Sequence, residues 1–457
     1  MYKISELQGQ YKAKLISADE AAAKLKDGDR VHYGLGLGCV KDLDAAIGRR
    51  AAAGDVKNIM ICNTVAVVSE PYKAYQDTQT AEQVSFSSAH FSGVDRKICR
   101  DGRSWYIPMQ FRELPSYWPT NGNNIDVAMF TVGPMDKYGN FNIGPQVSEM
   151  WGVIKSAKLV IVEVNENMPR ALGYQSEINL AEVDFVVESS NPPLSELKTK
   201  PPTEIDKKIA SNVVELVRSG STLQLGIGGL PLCIGSMIAD SDLQDISGHT
   251  EMLVDAYLEL YNKGKLTGKK NIDKGKLVYT FTGGSKELYD FIDNNPVCCV
   301  APVDYVNSPH VIGQIDNFVS VNGCIQLDLF GQVCSESAGP AHISGTGGQL
   351  DFVLGAYLSK GGQSFICTPS TRTFPDGHTE SLIAPILPPG SIVTTPRMAT
   401  HYIATEYGVV NLKGKNTRER AELLISIAHP DFRDELIRQA EALGIWKSSK
   451  CVWNYEE

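Results

Sequence analysis

The sequence predicts an α/β protein built as a tandem of two related open α/β domains with largely parallel sheets. With 457 residues, the chain is too long for one ordinary core, so we expect two domains. Each half carries the order helix, strand, glycine turn, helix, which is typical of an open parallel sheet. A proline-rich stretch over residues 191–202 resembles a linker. We therefore predict domains at residues 1–200 and 201–457.

The tandem arrangement is indicated by a repeated pattern. The corresponding residues, 192 positions apart in each case, are Gly34 and Gly226, Gly36 and Gly228, Asp136 and Asp328, and Gly139 and Gly331. Glycines recur by accident, but one unchanged offset over so long a stretch indicates two copies of a single unit.

Local signals predict the elements of each copy. Ser17 and Glu20 form a capping box that starts a helix ending near Lys26. The other predicted elements are a strand at residues 31–33, helices at 43–52 and 206–218, a strand at 222–225, a helix after Pro231, a buried strand at 252–254, and two helices over 416–443 joined at His429-Pro430.

Composition excludes several classes of protein. The net charge is -10 and the Lys and Arg residues are scattered, which argues against a nucleic-acid surface. No apolar run reaches the roughly 20 residues of a membrane span, and residues 1–10 lack the apolar core of a signal peptide, so we expect a cytoplasmic protein. The ten cysteines include no C-x-x-C pair, which predicts buried free thiols and no metal site.

The glycine loops at residues 34–38 and 226–229 admit two interpretations. A glycine turn between a strand and a helix lets backbone N–H groups approach a phosphate. Both loops depart from the dinucleotide fingerprint, and such loops are often only tight turns. An NAD-linked dehydrogenase therefore stays open as an alternative at this point.

Two further segments carry candidate chemistry. Glu251 precedes the predicted strand at 252–254, at a strand end where open α/β sheets bind ligands. The repeat offset pairs Glu251 with the apolar Ile59, so only the second copy has this carboxylate. Residues 344–352 contain small residues whose N–H groups suit an anion or an oxyanion. Each candidate has a plainer alternative. Glu251 could be a solvated carboxylate, the nearby His249 could be a structural hydrogen-bonding residue rather than a base, and residues 344–352 could be a mobile turn.

Taken together, these stretches resemble the class I coenzyme A transferases, in the acetyl-CoA hydrolase/transferase branch. The segments that carry the resemblance are residues 225–229, 249–252, 345–352, 406–408 and 427–433. Residues 162–170 and 355–362 are most similar to butyryl-CoA:acetate CoA-transferases, with 4-hydroxybutyrate CoA-transferases as close relatives.

The resemblance implies a mechanism and a set of site residues. Glu251 would be a nucleophile that carries CoA as a thioester in a ping-pong cycle, with Gly345 as an oxyanion donor and Asn307 in the active site. The residues expected to contact CoA are Gly226, Ile227, Gly228, Gly229, Leu230, Asn322, Gly345, Gly347, Gly348 and Lys360. Coenzyme A would be a co-substrate, with no tightly bound cofactor. Expected partners are acyl-CoA and short carboxylic acids, in a homo-oligomer (dimer or tetramer).

Some residues depart from the family pattern and leave the acyl group open. The departures are Leu232-Cys233, Gly248, the segment at 147–151, and Asn179, where a His is expected. The alternatives are a 4-hydroxybutyrate CoA-transferase, an acyl-CoA hydrolase on the same site, and a non-catalytic CoA-binding protein.

Overall fold

A computed structural model describes residues 2–67, 70–120 and 124–445 of the chain. The first half contains strands β1 (Arg30–His32), β2 (Ile59–Asn63), β3 (Val84–Ser88), β4 (Ser104–Tyr106), β5 (Val127–Val132), β6 (Asn140–Asn142), β7 (Leu159–Val164), β8 (Glu177–Asn179) and β9 (Phe185–Glu188). Its helices are α1 (Leu7–Lys14), α2 (Ala18–Ala22), α3 (Asp42–Ala53), α4 (Lys73–Gln76), α5 (Gly93–Arg100), α6 (Leu114–Tyr117) and α7 (Met150–Ser156).

The second half continues the same alternation of strands and helices. Its strands are β10 (Thr222–Leu225), β11 (Ser247–Leu253), β12 (Leu277–Thr282), β13 (Cys298–Val300), β14 (Phe318–Gly323), β15 (Gln326–Asp328), β16 (Val333–Cys334), β17 (Ser337–Ala338), β18 (Ala341–His342), β19 (Gln363–Cys367), β20 (Thr371–Thr373), β21 (Thr379–Ser381), β22 (Ile383–Ala384), β23 (Tyr402–Thr405) and β24 (Gly408–Asn411). Its helices are α8 (Glu204–Val214), α9 (Gly229–Asp240), α10 (Asp255–Asn262), α11 (Lys286–Ile292), α12 (Val303–Val306), α13 (Pro309–Gly313), α14 (Gln349–Leu358), α15 (Thr417–Ser426) and α16 (Pro430–Ala442).

Each half forms one large sheet, and the two sheets share one strand order. The first sheet runs β4-β3-β2-β1-β5-β7-β9 and is parallel throughout. The second runs β13-β12-β11-β10-β14-β19-β23-β24, and only β24 is antiparallel. The predicted duplication and the predicted parallel α/β class are both confirmed.

The repeat extends to single hydrogen bonds. The Oδ1 atoms of Asp136 and Asp328 each accept from the backbone N–H groups two and four residues later, at 2.8 to 3.1 Å. Both residues therefore form the same turn after the fifth strand of their sheet, which is why the two Asp-x-x-Gly segments lie in register.

Several element boundaries differ from the sequence prediction. The Ser17–Glu20 capping box is present, but α2 ends at Ala22 because the chain tightens into a turn there. Helix α8 begins at Glu204 and ends at Val214, not at Arg218. Helix α9 begins before Pro231, since the first turn of a helix tolerates a residue without an N–H group. Helices α15 and α16 are confirmed.

A continuous apolar core joins the two halves. One cluster of buried side chains contains Phe130 of β5 together with Leu225 of β10 and Phe281 of β12. The predicted linker lies between β9 and α8, in a stretch without helix or strand. The cysteines of the described residues are free thiols, most of them buried, as predicted. None of the helices in the described part of the chain is long and apolar enough to cross a membrane.

Candidate active site

Glu251 lies at the point where the strand order of the second sheet reverses. The chain leaves β10 toward β11 on one side and later returns to β14 on the other side. Strands β10 and β11 pair only up to Gly248, so the strands have separated where Glu251 occurs. Ligands bind in crevices of this kind, outside the carboxyl ends of parallel strands. Glu251 belongs to β11 itself, which corrects the prediction that the strand begins after it.

The two carboxylate oxygens of Glu251 have different surroundings. Asn307 Nδ2 donates a 2.6 Å hydrogen bond to Oε2. A β-carbon built on Gly348 would lie 2.2 Å from the same oxygen, so only glycine fits there. Oε1 has no hydrogen-bond partner among the described residues. Among the described residues, one oxygen of the carboxylate is therefore held in place and the other is not.

The surroundings raise the pKa of Glu251 to about 7. Burial is the largest cause, because it disfavours the charged form, and the negative charge of Asp351 acts in the same direction. The hydrogen bonds from Asn307 and the Gly348 backbone lower the pKa and limit the rise. The carboxylate is therefore more basic than an exposed one, yet still substantially ionised at neutral pH.

His249 has a structural role beside this carboxylate. Its ring is fully buried, and Nε2 lies 2.7 Å from the carbonyl oxygen of Val306. Burial lowers its pKa to about 3, so the ring is neutral at neutral pH. The bond to Val306 fixes the end of α12, which carries Asn307. Burial and the hydrogen bond to Val306 favour the structural interpretation of His249.

A pocket of about 150 Å³ opens beside Glu251 and is lined by both halves of the chain. The second half contributes six of the predicted residues, namely Gly226, Ile227, Glu251, Asn322, Gly347 and Gly348. The first half contributes Thr64, Val65, Ala89, His90, Phe111 and Leu114, none of which was predicted. Most of the lining is apolar, with Met252, Phe281 and Phe352 completing the wall.

The two glycine loops have different accessibility. In the second half, Ile227 is 52% exposed, and a β-carbon on Gly226 would have only Val321 O, at 3.9 Å, as a described neighbour within 4 Å. In the first half, Leu35 is fully buried, and a β-carbon on Gly34 would lie 2.7 Å from the carbonyl oxygen of Gly38. Only the second loop is open to a ligand.

The remaining predicted CoA contacts lie in different places. Gly345 packs against Ala89 and His90 at the edge of the pocket. The face of Gly229 is covered by Lys200 and Pro202, so Gly229 is less open than the loop before it. Gly228 is the residue before α9 and has φ +118°, a conformation that favours glycine, and Leu230 is partly buried in the first turn of this helix.

Lys360 is not near the pocket, contrary to the prediction. It follows α14, whose first turn is at the pocket and whose ten residues span about 15 Å. Its carbonyl oxygen accepts the N–H of Asn317, which precedes β14. Lys360 therefore lies at the amino edge of the sheet, opposite Glu251, and its side chain is exposed.

The position equivalent to Glu251 in the first half is Thr64, not Ile59. Arg30 pairs with Met60, whereas its counterpart Thr222 pairs with Ser247, so the connection in the first half is five residues longer. The constant offset of 192 residues therefore fails between the first and second strands of each sheet.

In the first half, a carboxylate stands at the position equivalent to Gly348, and a threonine stands at the position equivalent to Glu251. Glu149 precedes α7 as Gly348 precedes α14, and Thr64 Oγ1 donates a hydrogen bond to Glu149 Oε1. Glu149 is fully buried, whereas in the second half the carboxylate of Glu251 and the amide of Asn307 occupy the space beside Gly348.

Comparison with known proteins agrees with this geometry. Residues 1–195 match the acetyl-CoA hydrolase/transferase N-terminal domain, and residues 284–440 match the C-terminal domain of the same family. The chain belongs to the acetyl-CoA hydrolase/transferase family. Membership replaces the dehydrogenase interpretation of the glycine loops.

Relatives within the acetyl-CoA hydrolase/transferase family are similar over nearly the whole chain. The chain is 46% identical over 450 residues to the probable butyrate:acetyl-CoA coenzyme A-transferase of Syntrophomonas wolfei, covering 98% of this chain and 99% of the relative. It is 45% identical to the butyryl-CoA:acetate CoA-transferase of Anaerostipes caccae, covering 96% and 98%. The crystal structure of RipA from Yersinia pestis is 35% identical, with a TM-score of 0.87 and coverage of 96% and 100%.

Proposed function

We propose that this enzyme transfers coenzyme A from a short-chain acyl-CoA, butyryl-CoA first, to a carboxylate such as acetate, with Glu251 as the covalent carrier. The observation that carries the proposal is the asymmetric carboxylate of Glu251. One oxygen is held by Asn307, and the other has no hydrogen-bond partner in the described part of the chain and lies beside an apolar pocket.

The chemistry proceeds through two exchanges at this carboxylate. Glu251 Oε1 attacks the thioester carbonyl, the C–S bond breaks, and CoA leaves as a thiolate while a mixed anhydride forms. The thiolate then attacks the glutamyl carbonyl, which expels the acyl group as its free carboxylate and leaves a glutamyl-CoA thioester. An incoming carboxylate reverses both steps, so no ATP and no net proton transfer is required.

The hydrogen bond to Oε2 would lower the barrier of the second step, in which the thiolate attacks the glutamyl carbonyl. When the thiolate attacks the glutamyl carbonyl, negative charge develops on Oε2. Asn307 Nδ2 and the Gly348 backbone already surround this atom, so they can stabilise the oxyanion without rearrangement. Removing one such donor typically raises a barrier by about 2.7–4 kcal/mol. Gly345 and Gly347 belong to the same glycine segment, and Gly345 remains a proposed donor.

The pocket suits a short acyl chain and an approach of CoA from the glycine loop. Its apolar lining from Val65, Phe111 and Leu114 favours a saturated chain of a few carbons. The open backbone at Gly226 and the partly buried amide of Asn322 border the same pocket, where they can contact the CoA moiety. The predicted homo-oligomer remains a prediction.

The experiment is a panel of acyl-CoA donors and carboxylate acceptors with the product identified by mass. The Glu251→Gln variant should lose transfer while still binding acyl-CoA, because the amide is not a nucleophile. A hydrolase would instead release free CoA at full rate without an acceptor. A preference for 4-hydroxybutyrate over butyrate would assign the alternative substrate, and turnover by the Glu251→Gln variant would refute the covalent mechanism.

A further inference from the structure

We propose that His90 of the first half is a further catalytic residue, whose imidazole N–H hydrogen-bonds the carbonyl oxygen of the acyl group during attack by Glu251 Oε1. This inference rests on the proposed function. It assigns a chemical role to the first half, whereas the proposed covalent nucleophile lies in the second half.

The position of His90 is fixed by the end of β3. Ser88 Oγ donates to the His90 carbonyl oxygen at 2.9 Å, and the His90 N–H donates to Ser88 Oγ at 3.3 Å. A β-carbon built on Gly345 would lie 2.9 Å from His90 Nδ1. The absence of a side chain at Gly345 therefore lets the imidazole lie against the glycine segment.

His90 and Glu251 approach the same point from opposite halves of the chain. A β-carbon built on Gly347 would lie 3.6 Å from His90 Nδ1 and 3.7 Å from Glu251 Oε1. Both residues line the pocket. A carbonyl group placed beside Gly347 would thus be within reach of the attacking oxygen on one side and the imidazole on the other.

The imidazole is available for this contact. Within the described residues, neither ring nitrogen of His90 has a hydrogen-bond partner, whereas His249 and His342 use a ring nitrogen on a backbone carbonyl. His90 is only partly buried where it lines the pocket, so an acyl carbonyl in the pocket can reach the ring and supply a hydrogen-bond partner.

A neutral imidazole suits the role of a hydrogen-bond donor rather than that of an acid that transfers a proton. Burial is the main cause that lowers the pKa of His90 to about 4, and the nearby His342 and Arg96 act in the same direction. A neutral imidazole carries one N–H donor. A cationic ring would pair with the Glu251 carboxylate and weaken it as a nucleophile. The hydrogen bond moves no proton, so the balance of the transfer is unchanged.

The two oxyanions of the cycle would then have separate donors. Asn307 and Gly348 surround Oε2, where charge develops during attack on the glutamyl carbonyl. His90 lies on the side of Oε1, where charge develops on the acyl oxygen. Each exchange forms and breaks the anhydride once, so losing His90 slows both half-reactions.

Two substitutions separate a donor from a packing role. His90→Asn keeps an amide nitrogen on the same carbon that carries Nδ1, whereas His90→Phe keeps the ring and removes both nitrogens. The readout is single-turnover release of the donor acid from butyryl-CoA, with CoA binding and thermal midpoint measured on each variant. The exposed His310 provides the matched control, His310→Asn.

We expect His90→Phe to slow acid release by about 100-fold, with CoA affinity unchanged. His90→Asn should recover most of the rate. Equal loss in both variants, loss of CoA binding in His90→Phe, or a rate near that of the wild type in His90→Phe would overturn the inference. Absence of a Glu251 thioester in the wild type would instead contradict the proposed function, so the two failures are distinguishable.

Discussion

Gly348 and Glu251 are so close that a β-carbon on the glycine would lie 2.2 Å from Oε2 and 2.3 Å from the Asn307 amide nitrogen that binds it. The hydrogen bond between Asn307 and Glu251 therefore depends on a missing side chain at the start of α14. In the first half, the equivalent position carries Glu149, whose side chain is fully buried.

Replacing Gly348 with alanine should abolish transfer. The added methyl group cannot fit without displacing either the carboxylate or the amide, so the nucleophile loses its orientation. We expect kcat to fall by at least about 100-fold, measured with butyryl-CoA and acetate. Gly9→Ala is the control, because a β-carbon on this helical glycine meets no described atom within 4 Å. Normal turnover in the Gly348→Ala variant would disprove the arrangement.

The acid limb of the pH profile should report Glu251. Attack requires the carboxylate, so kcat/KM should rise with pH through the pKa of about 7 and level off above it. Asp351→Asn removes a negative charge that raises this pKa, so the limb should move to lower pH in that variant. Arg112 Nε donates to Asp351 at 2.7 Å, so protein stability must be measured alongside. A limb that stays in place would argue against Glu251 as the titrating group.

Leu114→Ala should extend the acyl chains that the enzyme accepts. Leu114 is fully buried at the wall of the pocket, and its loss leaves room for further methylene groups. The ratio of kcat/KM for hexanoyl-CoA to that for butyryl-CoA should rise about tenfold. Leu424→Ala also removes a fully buried leucine, but from another core cluster, and should leave the ratio unchanged. Both variants should lose about 2–5 kcal/mol of stability.

Glu149→Gln should stabilise the protein, and more so at higher pH. Burial raises the pKa of Glu149, and neighbouring His32 is neutral because burial lowers its pKa to about 3. A raised pKa means that the folded state binds the proton more tightly than the unfolded state, so stability falls as pH rises through that window. The amide avoids this cost and can still accept from Thr64. Urea unfolding at pH 5 and pH 8 measures the difference, and a variant less stable at pH 8 would contradict it.

Local signals in the sequence were sufficient for the fold class, whereas the role of Glu251 came from the resemblance to a family and stays a proposal. The Asp-x-x-Gly turns at Asp136 and Asp328 lie at equivalent places in the two sheets, as the repeat predicted. The equivalence of Glu251 and Ile59 was wrong, because a repeat offset cannot register the longer connection that places Thr64 there. Insertions between strands carry no periodic signal.

The first-half wall of the pocket was missed for a different reason. His90 and Phe111 are more than a hundred residues from Glu251, and packing of the two halves brings them to it. Neither belongs to a recognisable motif. The one local hint for His90 was its place just after a buried strand of a parallel sheet, at an edge where ligands bind. The contact between Lys360 and CoA was predicted from the charge of the lysine. The prediction did not consider that Lys360 follows the end of α14 that is far from the pocket.

The most direct test of the covalent mechanism is the mass of the Glu251 peptide. Enzyme incubated with butyryl-CoA, without acceptor, and then treated with hydroxylamine should yield a hydroxamate on Glu251, with no change in the Glu251→Gln variant. A wild-type peptide that stays unmodified while transfer proceeds would contradict the account.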